Sequence, residues 1–181
     1  MASALCRRRR VSAGPAAPHF TYVLALLFTP DRRRVVLMRK TRPAWQAGRV
    51  NALGGKLAVG ETAAAAARRE AREEAGVDVA EWEEFLVWRD PVYVMHAVRA
   101  FDPAAESART AEDQDVFLAD VDQLPAGVIE NLRWLIPLAL DRDVACPVNV
   151  RSASPEGSGL TEPPPRSPSG GPPPFERQTR R

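Results

Sequence analysis

The sequence predicts a single α/β domain with an extension at each end. The chain has 181 residues, of which 45% are hydrophobic, which suits one core better than two full domains. Between residues 20 and 140, short apolar runs of strand length alternate with two helical patterns. Both ends lack such patterns. We therefore place the folded domain at residues 20–145, with tails at residues 1–19 and 146–181.

The strands are predicted from short apolar runs bounded by turn residues. The first run is followed by Pro30, Asp31 and Arg32, which favour a turn, so the first two strands are expected to form a hairpin. The third run is short and ends at two glycines. The predicted strands are residues 20–28, 34–40, 85–88, 92–101 and 116–119, and residues 50–53 are the short apolar piece.

Two helices are predicted. Residues 62–75 contain five consecutive alanines, the strongest helix former. Thr62 is expected at the N-cap or just inside the first turn, and Gly76 stands where a helix ends with a left-handed residue. Residues 128–140 carry apolar side chains at helical spacing and predict the second helix.

The two tails are predicted to be disordered. The N-terminal tail is rich in Arg, Ala and Pro, and its arginine cluster is typical of a solvated basic segment. The C-terminal tail holds nine of the 17 prolines and has too few apolar side chains to offset its ordering entropy. The net charge is only +2, so nucleic acid is not an expected partner.

The cysteine content and the hydropathy indicate in which compartment the protein is expected. Cys6 and Cys146 are the only cysteines, which excludes a disulfide scaffold and a cysteine zinc site and favours the cytoplasm. The run at residues 22–28 is too short to span a bilayer, and no small-residue cleavage site follows it. We expect no membrane association, and a homodimer is compatible with the sequence.

Three acidic side chains share one face of the first helix. Glu70, Glu73 and Glu74 stand at i, i+3 and i+4, where their carboxylates repel one another unless a cation lies between them. Oxygen ligands without nitrogen or sulfur favour a hard divalent cation, Mg²⁺ or alternatively Mn²⁺. The competing interpretation is a solvated helix with Arg–Glu pairs along its surface.

The same helix carries a stripe of small residues about a quarter turn from the acids: Ala64, Ala67, Ala71 and Ala75. This stripe is expected to pack closely against a sheet and so hold the acids in place. Before the helix, Gly54 and Gly55 lack side chains, which lets a ligand approach the backbone.

The stretch from residue 55 to residue 77 resembles the Nudix signature at every defined position. The signature is carried by Gly55, Glu61, Arg69, Glu70, Glu73, Glu74 and Gly76, with Ala71 and Val77 at its apolar positions. The resemblance covers about residues 20–141. It implies a Nudix-type α/β/α sandwich with a mixed β-sheet, in which the signature forms a loop, a helix and a second loop.

The resemblance also implies roles for these residues. The three helix glutamates would bind the metal and carry the catalysis, helped by a backbone carbonyl of Gly54 or Gly55. Arg69 would orient a glutamate and Glu61 would brace the loop. Family members often add an acid from a later loop. Glu112 is our first candidate for it and Asp113 our second, against the alternative of a merely polar loop.

The segment from Trp45 to Lys56 is similar to the MutT-like branch, which clears oxidised nucleotides. In that branch an asparagine at this position contacts the base, and the corresponding residue here would be Asn51. An amide suits this role because it offers both a donor and an acceptor. Trp45 would either stack on the base or anchor the loop. Four cationic side chains are candidates for binding phosphate, with ordinary surface charge as the alternative: Arg39, Lys40, Arg42 and Lys56.

The expected function is Mg²⁺-dependent hydrolysis of a nucleoside diphosphate linked to another group, with Glu70 as a candidate general base. Oxidised dNTPs, ordinary dNTPs, ADP-ribose and dinucleoside polyphosphates all stay open as substrates. A catalytically silent nucleotide sensor is the alternative from another class, although the complete set of acids argues against it. An isomerase of the isopentenyl diphosphate type would need a cysteine in the core, which the domain lacks.

Overall fold

The protein is described here from a computed structural model, which covers residues 20–152 except Pro43 and Glu112. The side chain of Trp45 also lies outside the described part. The predicted N-terminal tail, residues 1–19, and most of the predicted C-terminal tail therefore fall outside it. No helix among the described residues is long and apolar enough to cross a membrane.

Within the described residues, seven strands form one mixed sheet, which confirms the predicted class. Along the sheet the order is β3-β2-β1-β5-β4-β7, and β6 pairs with β2. The β1–β5 and β4–β7 pairs are parallel, and the other pairs are antiparallel. The strands are β1 Phe20–Phe28, β2 Arg34–Arg39, β3 Val50–Asn51, β4 Glu83–Arg89, β5 Tyr93–Phe101, β6 Asp115–Asp120 and β7 Val148–Arg151.

One helix covers each face of the sheet: α1 is Ala63–Ala75 and α2 is Leu132–Leu140. Side chains alternate between the faces of a strand, so β1 contributes to both cores. Its residues Leu24 and Leu26 pack in the core with α2, whereas Val23 and Leu27 pack in the core with α1. This arrangement is the predicted α/β/α sandwich.

Helix α1 begins and ends where the sequence predicted. The Thr62 hydroxyl accepts a hydrogen bond from the Ala65 N–H at 3.2 Å, and Gly76 has a φ of 66° in the left-handed region. Ala67, Ala71 and Ala75 are fully buried against the sheet, as expected. Ala64 is only half-buried, and Ala66 takes its place in the core. Because its small side chains face the sheet, α1 has a fixed position from which to present its acids.

Helix α2 begins four residues later than predicted, at Leu132 instead of residue 128. The Ile129 N–H donates to the Val50 carbonyl at 3.0 Å, and Val128 bridges to Val50. Residues 128 and 129 thus pair with β3, which the periodicity of their side chains did not reveal.

The predicted domain end at residue 145 is wrong, because β7 extends the sheet beyond it. This strand runs parallel to β4, and Val148 and Val150 pack against the core under α2. The Ser152 hydroxyl accepts a hydrogen bond from the Trp88 indole at 2.9 Å. The high proline content of the segment concealed a four-residue alternating pattern that completes the otherwise open edge of β4.

Candidate functional site

The two glycines before α1 lie directly against the central strand β1. The Val23 N–H donates to the Gly55 carbonyl at 2.9 Å, and the Ala25 N–H donates to the Leu53 carbonyl at 2.8 Å. Gly54 has a φ of 142°, and a Cβ on it would lie 2.2 Å from the Val23 carbonyl oxygen. Only glycine fits this close approach.

Glu74 is held between this loop and β2. The Gly54 N–H donates to Glu74 Oε2 at 2.9 Å, and Lys40 Nζ donates to Oε1 at 3.2 Å. The side chains of Glu74 and Lys40 are only 7% and 11% exposed. Burial raises the pKa of Glu74 to about 7, although Lys40 and the Gly54 N–H act against this rise.

Glu70 lies one turn earlier on the same face of α1, over Gly55. A Cβ on Gly55 would lie 2.1 Å from Glu70 Oε1, so the absence of a side chain there makes room for the carboxylate. Burial raises the pKa of Glu70, and the hydrogen bond from Arg69 opposes this shift.

Arg69 ties the loop to the helix acids. It donates to both oxygens of Glu61 at 3.0 Å, and its Nη1 donates to Glu70 at 2.8 Å and Glu73 at 3.2 Å. It also donates to the Lys56 carbonyl at 3.1 Å. Glu61 further accepts the Ala58 N–H at 2.9 Å, and the bonds from Arg69 and Ala58 lower the pKa of Glu61. These contacts are those expected of an arginine that orients glutamates and a glutamate that braces the loop.

The oxygen donors and the net charge of this cluster fit a divalent cation. Four carboxylates, those of Glu61 and the three helix glutamates, form ion pairs with just two cations of the described chain, Arg69 and Lys40. With every group ionised, two negative charges are left to be balanced. Among the described residues, no three acidic, histidine or cysteine side chains already form a group that could hold a metal, and Arg69 and Lys40 donate to oxygens of the helix glutamates.

A cavity of about 180 Å³ opens beside the acids. Gly54, Gly55 and Lys40 line it and also contact Glu70 or Glu74, so the cavity and the acid cluster share one wall. The predicted substrate residues Asn51 and Lys56 line it as well.

Several side chains that line the cavity were not predicted from the sequence: Tyr22, Leu24, Gln46 and Met95. Tyr22 and Leu24 share a face of β1, so strand alternation could have indicated them together once the cavity face was known. For Gln46, which is buried, we find no signal in the sequence.

One of the predicted substrate residues, Arg39, is not brought into the cavity. Arg39 does not line it and donates to the Gly48 carbonyl at 3.2 Å, because neighbouring residues of a strand face opposite sides and Lys40 takes the cavity side. Glu112 and the Trp45 side chain lie outside the described residues. Asp113, the second candidate of that loop, pairs with Arg42 of the cavity wall at 3.2 Å.

The raised pKa of Glu74 predicts a pH-dependent stability in EDTA. The pKa of this carboxyl is higher in the folded protein than its ordinary value of 4.5, so the folded protein holds the proton more tightly. The protonated Glu74 carboxyl therefore makes its full contribution to the free energy of unfolding below pH 4.5. This contribution is lost as the pH rises through about 7. We expect a loss on the order of 2 kcal/mol in the free energy of unfolding across this range.

Urea unfolding at about pH 5 and about pH 8 measures this loss. Glu70 contributes in the same direction and Glu61 in the opposite one, so the relevant quantity is the difference between the wild type and Glu74→Gln. Equal pH dependence in the two proteins would contradict the prediction.

Comparison with known proteins identifies the domain and its fold. A family model described as the NUDIX domain matches residues 18–138. A MutT structure from work on Aliivibrio salmonicida and Vibrio cholerae is 21% identical, with a TM-score of 0.54, covering 67% of this chain and 97% of that one. A MutT NUDIX hydrolase from Burkholderia pseudomallei is also 21% identical, with a TM-score of 0.56, covering 66% of this chain and 96% of that one.

Among curated proteins no relative is found. The structural likeness shows the fold, and the domain match extends over most of the described chain. The chain therefore belongs to the Nudix family of pyrophosphohydrolases, with a MutT-like fold.

Proposed function

We propose that this protein hydrolyses the diphosphate linkage of a nucleotide with the help of Mg²⁺, and that oxidised dNTPs are among its substrates. The observation that carries the proposal is the position of Gly54. Its N–H donates to Glu74, and the same residue lines the cavity, so a diphosphate bound at the mouth of the cavity would adjoin the acids.

Members of the family generally use divalent metal ions. When bound, such an ion neutralises the diphosphate, polarises a phosphorus–oxygen bond and positions a water. Glu70, Glu73 and Glu74 would hold it. Of the two candidate carbonyls, that of Gly55 already accepts the Val23 N–H, whereas no described residue donates to the carbonyl of Gly54. We therefore favour Gly54 as the backbone ligand.

Glu70 is our candidate for the group that removes a proton from the attacking water. A general base works best when its pKa lies near the working pH, and burial shifts the pKa of Glu70 in that direction. Arg69 donates to one of its oxygens and leaves the other for the water. A Glu70→Gln enzyme that kept full turnover at saturating Mg²⁺ would exclude this role.

Asn51 and the cationic side chains of the cavity are our candidates for holding the substrate. The Asn51 side-chain oxygen accepts the Ala52 N–H at 2.8 Å, which orients its amide and leaves the NH₂ group to donate to a base. Lys56, Lys40 and Arg42 line the same cavity and would face the phosphates. Trp45 adjoins the cavity residue Gln46 in the turn Ala44–Gln46 and remains a candidate for stacking.

A hydrolysis assay with a substrate panel tests the proposal. The panel contains an oxidised dGTP, dGTP, ADP-ribose and a dinucleoside polyphosphate, each with Mg²⁺, with Mn²⁺ and with EDTA. We expect turnover that requires the metal and is fastest with the oxidised dGTP. Preference for ADP-ribose or the dinucleoside polyphosphate would move the specificity to another Nudix class. Binding without any hydrolysis would favour the nucleotide sensor.

A further inference from the structure

Lys40 stands between the acid cluster and the cavity. Its ammonium group donates to Glu74 Oε1 at 3.2 Å, and its side chain lines the cavity together with Asn51 and Gly54. Both members of the Lys40–Glu74 pair are about nine-tenths buried. The other lysine of the chain, Lys56, lines the same cavity, and its ammonium lies 5.0 Å from the centre of the Phe20 ring.

The pair occupies an oxygen that a divalent cation would need. Glu74 Oε2 is held by the Gly54 N–H and Oε1 by Lys40, so both oxygens are engaged in the described structure. The Gly54 N–H is fixed, because the loop is paired with β1 on either side of it. The lysine is the partner that can move, because its ammonium sits on a flexible four-carbon stem.

We propose that Lys40 exchanges partners when the site is loaded. In the metal-free protein it neutralises Glu74. When a divalent cation takes over that carboxylate, Lys40 turns into the cavity and its ammonium binds the phosphoryl oxygens of the ligand. The proposal rests on the proposed function, because it takes Glu74 as a ligand of the cation.

Two consequences follow from such an exchange. Lys40 competes with the cation for Glu74, so it lowers the affinity for metal in the absence of ligand. Once released, it adds a positive charge to the cavity, so metal and nucleotide each strengthen the binding of the other. In a permanent structural ion pair the lysine would keep Glu74 as its partner in both states, so binding of the metal would not release its positive charge into the cavity.

The presence of only two lysines allows a direct test in the full chain. Protein labelled with ¹³C at the ε-carbon of lysine gives two ε-methylene signals, which a Lys56→Arg variant assigns. We expect added Mg²⁺ to shift the Lys40 signal, and a non-hydrolysable nucleotide to shift it again. The Lys56 signal should respond to the nucleotide but not to Mg²⁺ alone.

Calorimetry with Mn²⁺ provides a second measurement. A Lys40→Met variant should bind Mn²⁺ about three- to tenfold more tightly than the wild type without nucleotide, because no resident cation competes for Glu74. It should also lose most of the gain in Mn²⁺ affinity that the non-hydrolysable nucleotide gives the wild type. The matched variant Lys56→Met should weaken nucleotide binding and leave the Mn²⁺ affinity without nucleotide unchanged.

The outcomes separate the exchange from the proposed function. If Mg²⁺ binds and supports hydrolysis while the Lys40 signal stays in place, only the exchange is overturned. Equal or weaker Mn²⁺ binding by Lys40→Met would overturn it as well. If neither Mg²⁺ nor Mn²⁺ binds and no nucleotide is hydrolysed, the exchange and the proposed function fall together.

Discussion

Replacing Glu73 with glutamine is expected to lower nucleotide hydrolysis by about 10²–10⁴-fold, the range for losing one group that acts directly on the reaction. Glutamine keeps the size of the side chain and removes its charge, so the proposed site loses a metal ligand. Glu73 is 50% exposed at its side chain and its only described ion pair is with Arg69, so the fold should persist. Steady-state rates at several Mg²⁺ concentrations measure the loss.

Glu106→Gln is a matched control for this substitution. Its side chain is 58% exposed and pairs with a single arginine, Arg34, in a short helical turn outside the acid cluster. We expect its activity and its melting temperature to stay close to those of the wild type, since exposed ion pairs stabilise proteins little. A Glu73→Gln enzyme as active as Glu106→Gln would remove Glu73 from the proposed metal site.

Gly54→Ala is expected to have the largest effect on stability, with a loss of about 4 kcal/mol or more in the free energy of unfolding. Two causes act together at this position. The new methyl group would lie 2.2 Å from the backbone oxygen of Val23, and a φ of 142° is unfavourable for any residue with a side chain. The loop would have to leave β1, and the N–H that holds Glu74 would leave with it. Urea unfolding in EDTA measures the stability without the contribution of metal.

Gly60→Ala separates these two causes. Gly60 also has a positive φ, 80°, but an added Cβ would meet no atom within 4 Å. We therefore expect a loss of only about 1 kcal/mol, from the backbone conformation alone. Similar losses of stability in the two variants would show that the close approach of Gly54 to β1 adds little to the cost of the substitution.

The helix and its acids could be predicted from the sequence because their signals are local. The alanine run, the Thr62 cap and Gly76 define α1 within a few residues of chain, and helical spacing alone places Glu70 and Glu74 on one face. The spacing of the signature residues then indicated the Nudix family. Each of these inferences depends on neighbours along the chain and not on how distant segments pack.

The remaining parts of the site depend on pairing between distant segments. Whether Arg39 or Lys40 faces the cavity is decided by the register of β2 against its neighbours, which a run of polar and basic residues does not specify. The contact between Lys40 and Glu74 joins residues 34 positions apart. Strand β7 is stabilised by pairing with the edge of β4. Its own four residues gave too weak a strand pattern to be predicted from the sequence alone.

The wall between cavity and acids limits how this enzyme could be re-engineered. Residues 51–54 line the cavity that we propose to hold the base, and the last of them, Gly54, also donates to Glu74. A redesign that widens this wall to admit a bulkier base would also displace Glu74, a carboxylate that we propose as a metal ligand. Changes of selectivity are therefore better sought at Met95, which lines the same cavity from β5, a strand that carries none of these acids.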